Sequence, residues 1–209
     1  IVAAGNASRM GGIDKVMAEL DGEPMVLRTV RTFQTCDAIK EIDIVTREDL
    51  IVPIMGLCAG FEKVKAVVVG GSSRQESVQL GLNALSGKVQ LAAVHDGARP
   101  LITHAVIDRT VRAALPVKDT IKVVTGGVVK ETPDRSTLRA VQTPQVFDFD
   151  LLKAALKKAK EDGAEVTDDC SAVERLGMSI KIVEGDERNI KVTTPMDLAV
   201  AKLLLGEMK

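Results

Sequence analysis

The chain has 209 residues, 28 Lys and Arg against 29 Asp and Glu, and a net charge of −1. That length suits one domain with a substantial core, and the near-neutral balance excludes a polyanion-binding surface, which needs a basic excess. Four Phe, no Tyr and no Trp leave almost no stacking platform for single-stranded nucleic acid, and no apolar run is long enough to cross a bilayer.

The first element is a strand remnant, Ile1-Val2, and a few residues are expected to precede it because no initiator Met is present. It runs into Ala3-Ala4-Gly5-Asn6-Ala7-Ser8-Arg9-Met10 and on to Lys15. Small side chains let a backbone approach a base or a phosphate, and exposed N–H groups in such a turn make a concavity for an anion. Arg9 and Lys15 add full positive charges. The loop is neither a P-loop nor a dinucleotide fingerprint. Read alone, it is equally a tight strand-to-helix turn carrying two solvated cations.

Further strands are expected at Ile42–Val45, Lys65–Val69 and Leu91–His95, with helices at Pro24–Gln34, Asp49–Gly60, Ser73–Leu85 and Thr103–Leu115. This alternation predicts a Rossmann-like α/β fold, a mostly parallel sheet with helices on both faces, whose ligands bind beyond the carboxyl ends of the strands. Gly70-Gly71-Ser72-Ser73-Arg74-Gln75-Glu76-Ser77 follows the third strand, with capping-box spacing between Ser73 and Glu76 and a helix N-terminus suited to an anion. His95-Asp96-Gly97-Ala98-Arg99-Pro100 follows the fourth. There Asp96 can approach a metal, a sugar hydroxyl or a cation, an Asp96–Arg99 turn being the alternative, and His95 reads as a packed strand residue.

Residues 117–147 interrupt the pattern. Ile121–Val124, a turn at Thr125-Gly126-Gly127, and Val128–Lys130 predict a projecting β-arm at about 118–141 within the single domain 1–209. An isolated hairpin is marginal in water, so a second copy of the chain is the expected docking partner. Leu151–Glu161 is an amphipathic helix, Thr167 is the expected N-cap of the next, and Ile180–Val183 is a strand. Lys191 is expected in a short strand before a last helix opened by Thr194-Pro195. Cys36, Cys58 and Cys170 lack metal-ligand spacing and fit packing in a reducing cytoplasm, and two histidines are too few for a metal centre.

The ordered set A-A-G-x-x-x-R-M…K, G-G-x-x-R-x-x-S-V, H-D-x-A-R-P, T-P-Q-x-F, T-D-x-x-S-A and V-x-G-x-x-x-N-I-K-V-T-x-P-x-D-L covers nearly the whole chain. It resembles the 2-C-methyl-D-erythritol 4-phosphate cytidylyltransferases of the non-mevalonate isoprenoid pathway. The resemblance implies a homodimer with an exchanged arm that transfers CMP from CTP to a polyol phosphate with Mg²⁺. Matched by motif, Ala3, Ala4, Gly5, Gly71 and Ser77 would hold cytosine and ribose. Arg9, Lys15 and Lys191 would be catalytic, Arg9 and Lys15 on the triphosphate, and Asp96 would lie near ribose, metal and acceptor. Gly97, Arg99, Thr143, Thr167 and Lys191 would line the acceptor pocket, with Thr120 and Arg135 reaching it from the partner's arm.

The nucleophile would be a phosphate oxygen, with a second pKa near 6, so no general base is required and none of the usual catalytic triads appears. Three positions depart from the family pattern. Asp14 stands where a proline often precedes the lysine and is expected to offset part of the Lys15 charge. Ser72 replaces an acidic residue, and Gly97 replaces alanine. The competing readings are the sister enzyme acting on ribitol 5-phosphate and a nucleotide-binding protein without turnover. A nicotinamide-dependent oxidoreductase lacks its glycine fingerprint here.

Overall fold

The structure is a computed structural model that describes residues 1–5, 14–87, 89–110, 112–116 and 118–208, with 112–116 as backbone alone. In chain order it contains β1 (Val2–Ala3), β2 (Glu19–Leu20), β3 (Glu23–Pro24), α1 (Met25–Thr35) and β4 (Ile42–Thr46). A 3-10 turn at Glu48–Leu50 leads into α2 (Ile51–Leu57), followed by β5 (Val64–Val69), α3 (Arg74–Ala84), β6 (Leu91–Val94) and α4 (His104–Arg109). Then come β7 (Arg112–Pro116), β8 (Val123–Thr125), β9 (Val128–Glu131), β10 (Arg139–Asp148), α5 (Phe149–Glu161), α6 (Asp169–Glu174), β11 (Val183–Glu184) and α7 (Pro195–Glu207).

β1, β4 and β5 form a parallel sheet, with Val2 opposite Val45 and Ile44 opposite Val67. A second sheet has the order β11-β7-β10-β6. A parallel bridge between Val2 and Asp96 joins the two, so β1 lies between β4 and the end of β6. β10 runs antiparallel to both its neighbours, and β7 is parallel to β11. The Rossmann-like, mostly parallel sheet is therefore present, with β10 as the reversed strand.

Every residue of β4 is buried, as a strand covered on both faces requires. Ile42 and Ile44 join the core built from Val26, Val30 and Phe33 of α1, Ile54 of α2 and Val106 of α4. A separate core joins Val78 and Leu82 of α3, Ala92 and Val94 of β6, Phe147 of β10, and Leu152 and Leu156 of α5. Leu152 and Leu156 are fully buried, each contributing about 1.5–3 kcal/mol by burial. In α5 the buried set Phe149, Leu152, Ala155, Leu156 and Ala159 has helical spacing. No helix among the described residues is long and apolar enough to cross a membrane.

Three local expectations are corrected. The helix expected over Thr103–Leu115 ends at Arg109, and residues 112–116 become β7, because the sheet offers them β10 as a partner. Asp168 rather than Thr167 caps α6, in a reciprocal box with Ser171; a carboxylate one residue nearer the helix outcompetes the threonine hydroxyl. Lys191 lies outside any strand, in a loop anchored by a Val192 N–H donated to the Ala98 carbonyl at 2.8 Å. β8 and β9 form a hairpin whose Gly126 and Gly127, at φ 57° and 78°, make a two-residue turn of the kind that needs positive φ twice. Every residue of both strands is exposed.

Candidate active site

A cleft of about 480 Å³ opens at the carboxyl ends of β1, β4, β5 and β6. It is walled by Ala3, Ala4 and Gly5 after β1, Thr46 and Arg47 after β4, Gly70 to Arg74 and Ser77 around the start of α3, and Asp96 after β6; Lys15 and Lys191 complete it. A slightly larger cavity of about 550 Å³ lies toward the amino ends of β4 and β6, lined by Val78, Leu82, Leu85 and Val89 among others. It contains none of the glycine turns, and topology favours the carboxyl-end cleft as the ligand site.

The glycine turn shapes one wall. A Cβ on Gly70 would lie 2.4 Å from the Ala4 Cβ and 2.9 Å from Ser77 Oγ, and one on Gly71 would lie 2.2 Å from Glu76 Cγ. Only glycines let β1 and α3 come this close. Ser73 caps α3 by accepting the Glu76 N–H, but the Glu76 carboxylate takes the Ser72 N–H and hydroxyl, both at 2.8 Å, in place of the N-cap residue's own N–H. Ser77, nearly fully buried, accepts from Gly71 N–H at 3.1 Å and donates to the Ser73 carbonyl at 2.9 Å. Its hydroxyl therefore fixes the turn that lines the cleft.

Asp96 is the electrostatic centre. Lys191 Nζ lies 2.7 Å from its Oδ2, with Arg74 Nε and Arg99 Nε each at 3.6 Å. Burial alone would raise this carboxyl, but Lys191, Arg74 and Arg99 outweigh it and hold the pKa at about 2. Arg74 also bonds Asp169 at 2.8 Å, whose carboxyl burial pushes up.

A chain of neutral hydrogen bonds supports Asp96 from behind. Its N–H donates to Thr143 Oγ1 at 3.0 Å, Thr143 Oγ1 is 3.2 Å from His95 Nδ1, and His95 Nε2 is 3.2 Å from the Arg99 carbonyl. A carbonyl only accepts, so Nε2 carries the proton and Nδ1 accepts from the threonine. Burial drives the His95 pKa down to about 3, which keeps this tautomer neutral. Arg99 Nη1 donates to the Asn189 carbonyl, and Asn189 Nδ2 to the Thr143 carbonyl. These bonds carry Lys191 to Asp96.

Of the residues expected at the site, Ala3, Ala4, Gly5, Lys15, Gly71, Ser77, Asp96 and Lys191 line this one cleft. A Cβ on Gly5 would lie 3.4 Å from Lys15 Nζ, so the ammonium rests over that glycine. Gly97, Arg99 and Thr143 are buried behind the cleft, where Arg99 and Thr143 contact Asp96 and Gly97 donates its N–H to the Val2 carbonyl. Thr120, Arg135 and Thr167 are exposed and do not line it. Arg135 donates to the Lys118 carbonyl of its own chain at 2.9 Å. Arg9 lies outside the described residues.

Arg47 and Arg74 had no role assigned from the sequence. Arg47 directly follows the end of β4 and Arg74 comes three residues after the paired glycines, both at the sheet edge that forms the cleft, which is the signal that marks them. Among the described residues no group of three His, Cys, Asp or Glu side chains is arranged to hold a metal. Among the described residues, Asp96 and Glu48 are the carboxylates in the wall of the cleft.

The family model described as IspD, 2-C-methyl-D-erythritol 4-phosphate cytidylyltransferase, matches residues 1–207. A protein of that name from Symbiobacterium thermophilum is 44% identical over 99% of this chain and 92% of its own length. One from Geobacillus kaustophilus is 43% identical over 99% and 95%. Among solved structures, 4-diphosphocytidyl-2C-methyl-D-erythritol synthase from Anaerococcus prevotii superposes with a TM-score of 0.87 at 29% identity, covering 98% of this chain and 93% of that one. The cytidylyltransferase from Thermus thermophilus gives 0.81 at 28% identity, covering 98% and 96%. With the ordered motifs and the cleft they build, these likenesses decide the matter: the chain belongs to the 2-C-methyl-D-erythritol 4-phosphate cytidylyltransferase family.

Proposed function

We propose that this chain transfers CMP from CTP to 2-C-methyl-D-erythritol 4-phosphate. An oxygen of the acceptor phosphate attacks the α-phosphorus in line, a new P–O bond forms, and the bond to the β-phosphate oxygen breaks to release pyrophosphate. The observation that carries this reading is the convergence of Lys15, Lys191 and Asp96, which are distant in sequence, on one glycine-walled cleft.

Cytosine and ribose rest against Ala3, Ala4, Gly5 and Gly71, whose small side chains admit a flat base. Lys15, with Arg9, neutralises the triphosphate and the charge that builds on the α-phosphorus. Lys191 exchanges part of its hold on Asp96 for the incoming phosphate, bringing two anions together. Such preorganised charge acts without reorganisation at the moment of reaction.

Mg²⁺ is the expected metal, and the donor set suits it. Mg²⁺ is commonly held by one or two carboxylates and substrate phosphates, and Asp96 supplies one carboxylate that stays ionised at neutral pH. When bound, the ion would polarise phosphoryl oxygens and offset their charge.

The exposed valines of the hairpin, Val123, Val124, Val128 and Val129, support a homodimer in which β8–β9 docks on a second copy. In that assembly Thr120 and Arg135 serve the partner's cleft. The balanced charge supports a small-molecule enzyme rather than a nucleic-acid binder, and three free buried cysteines suit the cytoplasm.

Pyrophosphate release from CTP, measured with each polyol phosphate, tests the assignment. Turnover with methylerythritol phosphate and little with ribitol 5-phosphate is expected. The reverse preference, or tight CTP binding with no pyrophosphate from either acceptor, contradicts it.

A further inference from the structure

We propose that Arg47 is a positioning residue for Lys15, acting through Asp14; the proposal rests on the catalytic reading of Lys15 above. Both oxygens of Asp14, the acid next to Lys15, are engaged: Oδ1 accepts the Val16 N–H at 3.1 Å, and Oδ2 pairs with Arg47 Nη2. The first bond clasps the backbone across Lys15, since it joins the residue before it to the residue after it. The second ties that clasp to the end of β4, a rigid central strand.

Arg47 suits this role by its planar fork. Nε and Nη2 hold Asp49 at 3.0 and 2.9 Å, while Nη2 also reaches Asp14. Asp49, then Asp14, raise the guanidinium pKa further, so its charge is permanent. The Arg47 and Asp14 side chains are 23% and 26% exposed, against 64% for Asp49. The Asp14 contact is thus the less solvent-screened of the two.

On the far side of Lys15, Val16 is 1% exposed in the core, and its carbonyl accepts the Val26 N–H at 2.9 Å. The lysine is therefore carried between a clamp and a core anchor, with its ammonium over Gly5. The same clamp directs the Asp14 carboxylate toward a second cation. The loop thereby accommodates an acid next to the lysine that faces the triphosphate.

A kinetic cycle with CTP and methylerythritol phosphate tests this. Arg47→Ala is expected to lower kcat by about 10–100-fold, the range for misplacing a catalytic group by about an ångström. Arg47→Lys should restore only part, because an ammonium cannot reproduce the fork. In a Lys15→Ala background, Arg47→Ala should cost nothing more, since residues acting as a unit are not additive. Asp14→Asn, which keeps an acceptor for the Val16 N–H, is expected to lower kcat in the same direction and to be silent without Lys15. It also keeps the test decisive where Arg47→Ala fails to fold. Wild-type kcat in Asp14→Asn and Arg47→Ala, or equal losses with and without Lys15, overturns the proposal. Wild-type turnover in Lys15→Ala alone overturns the catalytic reading itself, and the proposal with it.

Discussion

His95 should make the protein acid-labile at an unusually high pH. Its pKa is about 3 in the fold, against 6.5 for a free imidazole. The unfolded chain therefore takes up a proton that the folded chain refuses. The contribution of His95 is complete above pH 6.5 and is lost as pH falls from there toward 3. Between pH 7 and pH 5 the lost stability comes to about 2 kcal/mol, or roughly 4–8 °C in melting temperature for a chain of this size. Protonation at Nδ1 would break the bond from Thr143 and so loosen the support of Asp96. Urea melts of the wild type and of His95→Gln, in metal-free buffer from pH 5 to 8, isolate the effect, because all other titrating groups are shared. The wild type should lose about 2 kcal/mol more than the variant between pH 7 and 5. Parallel curves would refute the reasoning.

Lys15→Ala should reduce kcat about 100–1000-fold, the loss typical of one preorganised donor, with an unchanged melting temperature; Arg9→Ala is expected to behave likewise, and near-normal turnover in either removes its role. Gly70→Ala should destabilise the fold by about 1–3 kcal/mol through overpacking and raise the KM for CTP, because the added Cβ meets Ala4 and Ser77. Thermal melting and steady-state kinetics on one sample check both effects. Leu156→Ala empties a fully buried position between α5 and the sheet and should cost about 2–5 kcal/mol in a denaturant titration. Charge introduced by Val124→Asp and Val129→Asp in the hairpin should yield a monomer by sedimentation; an unchanged species would contradict docking through this hairpin.

The alternation of apolar runs and helical periods was sufficient to infer the sheet and most of its helices, because buried parallel strands and amphipathic helices write directly into side-chain order. The segment 103–115 misled because Val106, Ile107, Ala113 and Leu115 also satisfy a helical period, while β10, some 30 residues later, and β11 beyond it recruit 112–116 into the sheet. Thr167 against Asp168 was a contest between two adjacent capping residues, settled by which side chain reaches the Ser171 N–H. The cleft was legible through its glycines and cations. The roles of Thr143, His95 and Arg99 behind Asp96 were not, since they arise from contacts between segments up to 90 residues apart. Asp14 shows the same limit: its sequence neighbour is Lys15, but its ion-pair partner is 33 residues away.

A crystal of the protein grown with CTP and Mg²⁺ puts the whole account at risk in one measurement. The base should sit against Ala3 to Gly5 and Gly71, with the triphosphate within hydrogen-bonding reach of Lys15 Nζ and Lys191 turned toward the α-phosphate. Nucleotide density in the apolar cavity at the opposite end of the strands, or a triphosphate contacting neither lysine, would contradict it.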